Sequence, residues 1–153
     1  MEGGRSTKKK VASPIRGAEW VRSYGGIIRG DSTKKNIALV FTGDEFGDGG
    51  NFIDEILRKQ KVKASFFLTG RFYRNASFSS TIRQLKRNGH YLGAHSDQHL
   101  LYCDWKKRDS LLVTKQQFKN DLEANYAAMK QYGIQEAHAR YFLPPYEWYN
   151  DTI

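Results

Sequence analysis

The chain has 153 residues, enough for one domain with a sizeable core, and no apolar run in it approaches the length of a membrane span. One cysteine, Cys103, excludes an internal disulfide. The formal charge of +9 gathers at residues 8–10, 58–63 and 106–108, which is either a solvated surface or an attraction for an anionic polymer such as a cell-wall glycan or a nucleic acid.

In chain order, residues 1–18 are polar and rich in Gly, Ser and Lys, and no apolar segment of a secretory signal follows Met1. They read as a disordered tail or a cloning remnant, and the folded part is expected to start near Trp20. Residues 36–41 (Asn-Ile-Ala-Leu-Val-Phe) are a nearly continuous apolar run, as expected of a strand buried on both faces. A polar, Gly-rich segment follows over 42–50. Phe52, Ile53, Ile56 and Leu57 then recur at helical spacing, which predicts a helix over 51–60. Residues 63–68 are the next strand, ended by Thr69-Gly70. A second helix is expected over 79–88, with Ile82 and Leu85 facing inward and Gly89 at its end. Residues 91–94 make a short third strand. Thr114 can cap a long helix reaching to about Tyr132, with Gln117 completing a capping box and Gly133 stopping it. Residues 139–143 read as a fourth strand running into Pro144-Pro145.

Strands and helices therefore alternate, which argues for parallel strands joined by right-handed crossovers, in a barrel or an open doubly wound sheet. In either case the chemistry belongs at the C-terminal ends of the strands. Three unusual segments fall there: 42–50, 95–99 and 144–149. His95 and His99 are four residues apart, so one helical turn or a tight loop puts both on one face. Two neutral imidazoles so placed can grip one divalent cation, most often zinc.

Residues 89–99, Gly-His-Tyr-Leu-Gly-Ala-His-Ser-Asp-Gln-His, resemble the Gly-His-x-x-Gly-x-His-[Ser/Thr]-x-x-His motif of the polysaccharide deacetylase family, carbohydrate esterase family four. Residues 63–70 resemble that family's second strand, and 141–146 the segment lining its substrate groove. The resemblance runs from about Ile28 to the end of the chain. It implies an α/β fold, a distorted parallel (β/α) barrel, with residues 19–153 a partial domain whose C-terminal part is missing. It also implies an extracytoplasmic setting, a divalent metal, typically zinc, held by one aspartate and two histidines, and removal of acetyl groups from N-acetylhexosamine polymers or acetylated xylan. His95 and His99 match the metal histidines, and His90 matches a framework histidine beside them. His138 is expected to be an ordinary surface or core residue.

Three departures from the pattern stand out. The family's first strand ends in Thr-Phe-Asp-Asp-Gly, the first Asp serving as general base and the second as metal ligand. Matching Phe41 to that Phe leaves Thr42 and Gly43 where the aspartates belong; a shift of two makes Asp44 the base and Glu45 the ligand. The shifted register is favoured because a cation beside two imidazoles still wants a carboxylate. Asp48 is a third candidate, and the acids could instead merely solvate a Gly-rich loop. Second, the family's Phe-Arg-x-Pro segment carries an arginine that orients the base, and Leu143 stands at that position here. Third, the late Leu-x-His segment that supplies the family's general acid is not found in these 153 residues.

Tyr146 and Trp148, with Trp105 and Tyr149, are candidates to stack on sugar rings; partial burial in the core is the alternative. The expected partner is an acetylated polysaccharide or oligosaccharide, handled by an enzyme or bound by a catalytically impaired relic. Nucleic acid is not the expected partner, because the basic residues are not interleaved with aromatics on one element.

Overall fold

A computed structural model describes residues 20–153, so the tail expected over 1–18 lies outside the described residues. The chain divides into two units, one up to Asn36 and one from Ile37 onward. In the first, β1 (Val21–Ser23) and β2 (Gly26–Arg29) form an antiparallel hairpin. Its turn residues Tyr24 and Gly25 both take left-handed φ, +48° and +80°, the geometry that matches the twist of two paired strands. No turn or strand signal in the sequence predicts this hairpin.

The second unit contains β3 (Val40–Gly43), α1 (Gly50–Lys59), β4 (Ser65–Leu68), α2 (Gly70–Arg74), α3 (Ser79–Arg87), β5 (Tyr91–Ala94) and α4 (Lys115–Lys130). Short 3-10 turns precede α3 and follow α4. The sheet order is β3-β4-β5, and both pairings are parallel, as the alternation of elements requires. β4 is the central strand, so Phe66, Phe67 and Leu68 are all buried. α1 adds Leu57 to the core, α3 adds Ile82 and Leu85, and α4 adds Tyr126 and Met129. Each such aliphatic side chain stabilises the fold by about 2 kcal/mol when fully buried. The capping box of Thr114 and Gln117 is formed, and the turns after α3 and α4 close on Gly89 and Gly133 with φ of +72° and +64°.

Two expectations need correcting. The strand expected over 36–41, buried on both faces, starts only at Val40 and lies at an edge of the sheet. Ile37 is 90% exposed, Leu39 40% and Val40 49%. An apolar run reports a preference for burial, not the presence of a partner, and among the described residues β3 pairs with β4 alone. The strand expected over 139–143 reduces to one parallel bridge between Ala94 and Phe142. A 3-10 turn occupies Glu136–His138, and Pro144 and Pro145 have no N–H for a ladder, which leaves little length to pair. That bridge still brings the Leu143 N–H onto the Ala94 carbonyl at 3.1 Å, over the end of β5.

The register fixes the site. Gly43 pairs with Leu68, and Leu68 with Ala94. The next residues, Asp44, Thr69 and His95, therefore leave the sheet side by side.

Candidate active site

Asp44 follows β3 and is clamped at once by Thr69, just past β4, and by Arg71 of α2. It accepts hydrogen bonds from the Thr69 hydroxyl at 2.9 Å and from Arg71 Nε at 2.5 Å, and Arg71 Nη2 donates to its other oxygen. Thr69 also caps α2, accepting from the Phe72 N–H at 3.1 Å, so the cap and the acid share one hydroxyl. Burial opposes ionisation of Asp44, but the bonds from Arg71 and Thr69 outweigh it and hold the carboxyl below its usual range. Glu45 lies 3.4 Å from Arg71 Nη1, and its side chain is 60% exposed.

The two histidines sit on a tight loop after β5. His95 is buried, and its Nδ1 is 2.7 Å from the Leu143 carbonyl oxygen. A carbonyl only accepts, so Nδ1 carries the proton and Nε2 keeps its lone pair. Burial is the main reason the His95 pKa falls below the ordinary imidazole value, and it favours the neutral ring. His99 turns its own Nε2 to 3.2 Å from that of His95. Two nitrogens on one tetrahedral zinc, each about 2.0–2.1 Å from the ion, stand about 3.3 Å apart. The imidazole pair therefore fits a shared cation.

The loop is held in an unusual backbone shape, with φ of +70° at Ser96 and +57° at His99. α4 braces it from behind. Asp121 accepts from the Asp97 and Gln98 N–H groups at 2.9 and 3.0 Å, and Asn125 accepts from the His95 N–H at 2.8 Å. Arg74 forks onto Asp97 at 2.6 and 2.9 Å, and the Gly70 N–H donates to the Ser96 carbonyl at 3.1 Å. Gly70 has to be glycine, because a Cβ there would collide with the Asp97 carboxylate. His90, expected as a framework residue, is one: its Nε2 meets buried Asp54 at 3.0 Å and its Nδ1 accepts from the Ala64 N–H at 3.2 Å. His138 is exposed.

A cavity of about 200 Å³ is lined by Thr42, Gly43, Asp44, Glu45, Phe46, His95 and His99. The structure thus brings Asp44, Glu45, His95 and His99 to one pocket. Asp48 instead lines a more apolar cavity with Phe41, Ile53 and Leu85. Among the described residues no three His, Cys, Asp or Glu side chains stand close enough to hold a metal ion together. The two imidazoles meet, but no carboxylate joins them, and Asp44 is taken up by Arg71.

An aromatic row extends from the histidines. The Tyr146 ring lies edge-on to His99 at 4.5 Å, and Trp105 lies 5.4 Å from Tyr146. Trp148 stacks on Trp105 at 5.8 Å and carries the Arg108 guanidinium 4.1 Å from its ring centre. Tyr149 also lies beneath Arg108, at 5.5 Å.

Sequence reasoning missed Thr69, Arg71, Asp121 and Asn125. Asp121 and Asn125 did leave a signal, being polar residues four apart on the inward face of a helix. Arg71 left only its place just after a strand end.

The family model described as polysaccharide deacetylase matches residues 29–153. An uncharacterised 30.6 kDa protein of Geobacillus stearothermophilus is 31% identical over 136 residues, 86% of this chain and 47% of that protein. A peptidoglycan-N-acetylmuramic acid deacetylase of Bacillus subtilis is 31% identical over 80 residues, 52% of this chain and 29% of that enzyme. A family 4 carbohydrate esterase from Bacillus anthracis superposes with a TM-score of 0.70 at 26% identity, covering 84% of this chain and 57% of that structure. The chain spans about half or less of the length of the curated relatives it matches. Its three parallel strand ends, its histidine loop and the match over most of its length agree: the chain belongs to the polysaccharide deacetylase family.

Proposed function

We propose that this pocket removes acetyl groups from an acetylated glycan with the help of one divalent cation, zinc being the ion its donors suit best. The observation that carries the reading is the 3.2 Å approach of the His95 and His99 Nε2 atoms in the cavity that also holds Asp44. His95 and His99 would hold the ion, with Glu45 as the carboxylate: it lines the same cavity, and its exposed side chain has room to turn. A cation bound there lowers the pKa of water toward neutrality and polarises the acetyl carbonyl.

Asp44 is the base. Its depressed pKa keeps it ionised at neutral pH, and Thr69 and Arg71 fix the direction of its lone pairs. It takes the proton of the attacking water as the C–O bond forms, and that proton is the one the departing nitrogen or oxygen needs when its bond to the acetyl carbon breaks. Arg71 supplies from α2 a guanidinium fork at the base, while Leu143 stands where the family pattern has its arginine. The buried His95–Leu143 contact keeps one imidazole in the ligating tautomer. The Bacillus subtilis relative is named for an N-acetylmuramic acid of peptidoglycan, which supports an N-acetylated cell-wall glycan as substrate.

Acetate release from peptidoglycan and from acetylated chito-oligosaccharides tests this on zinc-supplemented protein. Release is expected, with a loss of about 10²–10⁴-fold in Asp44→Asn. Equal release by Asp44→Asn would remove Asp44 from the mechanism. The ion pair that occupies Asp44 favours a second reading, a glycan-binding relic. Binding of the same glycans without any acetate release would select it.

A further inference from the structure

We propose that the end of the sheet opposite the reaction rim is a docking face for a membrane surface rich in anionic phospholipid headgroups. This face carries no part of the deacetylation site, so its test does not depend on that reading. A helix that joins two parallel strands runs back antiparallel to them, so α1 and α3 end at the N-terminal ends of the strands they lead into. α4 ends on the same side: Lys86 of α3 donates to the Tyr132 and Gly133 carbonyls just past α4, at 2.6 and 3.1 Å. Lys63 donates to the Asn88 carbonyl and ties the turn after α1 to the turn after α3. The three helix ends are therefore neighbours.

Their charge is one-sided. Residues 56–64, 79–90 and 124–135 hold eight Lys or Arg and no Asp or Glu. A cation or two per helix end is the ordinary complement of the helix dipole, and Lys63 and Lys86 serve it by meeting free carbonyls. Arg58, Lys61 and Arg87 go beyond it. All three are exposed, and none forms a salt bridge among the described residues. The acid just before this stretch of α1, Glu55, is engaged by Lys59 at 2.6 Å. The turns after α3 and α4 take left-handed φ at Gly89 and Gly133, whereas the turn after α1 takes it at Lys61, with φ of +55°. A lysine there forgoes the backbone freedom of glycine and sets a charge on the turn, beside Val62, 38% exposed, and Lys63. Cations gathered from three helix ends form a patch rather than the two walls of a groove. A patch matches a plane of phosphate charges better than it matches a single polymer strand. Docked this way, the rim with His95 and His99, at the other end of β5, points away from the bilayer.

Flotation with vesicles of phosphatidylcholine containing about one-third phosphatidylglycerol, in about 0.1 M salt, tests this. The wild type is expected to float with them and not with pure phosphatidylcholine. Each cation at such a surface is worth about fivefold in the partition constant, so Arg58→Gln/Lys61→Gln/Arg87→Gln is expected to lose about a hundredfold. Lys106→Gln/Lys107→Gln/Lys115→Gln removes the same charge from exposed sites at the rim end and is expected to lose less than about fivefold. Both variants keep Lys8, Lys9 and Lys10. No uptake by the charged vesicles, equal uptake by the neutral ones, or equal losses in the two variants would overturn the docking face. Binding of soluble poly(glycerol phosphate) by the wild type without vesicle uptake would also overturn it, and would assign the patch to an anionic polymer. The amide spectrum of each variant reports folding.

Discussion

As the proposed base, Asp44 sits under two opposing demands. A general base needs an open lone pair and some basicity, while a carboxylate at a strand end needs donors. Arg71 and Thr69 meet the second demand at the expense of the first, which makes Arg71 the residue most open to a kinetic test. Arg71→Lys keeps the charge but loses the fork; Arg71→Met loses both. Deacetylation is expected to fall about tenfold in the first and about a hundredfold in the second, on the scale of charge-assisted hydrogen bonds. Acetate release at saturating glycan reads this, and rates unchanged in both variants would mean that Arg71 does not orient the base. At this scale the sequence was legible where spacing alone suffices. His95 and His99 announce themselves by a four-residue interval, and the loop that joins them delivers the convergence. Arg71 is 27 residues from Asp44, and no local pattern links them. Only the pairing of Gly43 with Leu68 brings them together. Trp148 is similar: its contacts with Arg108 and Trp105 follow from the tertiary fold, and no local spacing announces the pairing with Arg108, 40 residues away.

Among the elements, one buried carboxylate joins α1, α3 and the start of β5. Asp54 is fully buried and accepts from Gln84 Nε2 at 2.6 Å, from Asn88 Nδ2 at 2.8 and 2.9 Å, and from His90. Because His90 Nδ1 accepts from the Ala64 N–H, Nε2 is the nitrogen that donates to Asp54. Burial raises the pKa of Asp54, but the bonds from Asn88, Gln84 and His90 outweigh it and hold it below the usual value of 3.8. Asp54→Ala strands several buried donors and is expected to cost about 3 kcal/mol in urea unfolding at pH 7. The folded pKa is depressed, so near pH 4 the unfolded chain binds more protons than the folded one. The contribution of Asp54 is therefore fully present above the unfolded carboxyl pKa and disappears as pH falls through the lower folded value. A gap between wild type and Asp54→Ala that persists undiminished to the most acid pH at which the fold survives would contradict this. Elements with local signals were the legible ones: the Thr114–Gln117 capping box, α3 with Ile82 and Leu85, and β5. β3 was misjudged because its exposure depends on what lies beside it, and α2 went unseen because five residues are too few for a helical period.

For the whole molecule, the functional claim depends on three separated parts of one chain reaching one rim. Asp44 and Glu45 follow β3, Thr69 and Arg71 follow β4, and His95 and His99 follow β5. The alternating pattern of strands and helices announced that rim, because parallel strands place all their C-terminal ends on one side. It could not announce the state of the acids, which depends on how Arg71 divides its donors between Asp44 and Glu45. The central claim is that the rim holds a single cation through the two imidazoles, and zinc titration of the 153-residue chain by isothermal calorimetry tests it most directly. One saturable site per chain is expected in the wild type, and its loss is expected in both His95→Ala and His99→Ala. No saturable uptake by the wild type, or uptake by His95→Ala equal to that of the wild type, would contradict it.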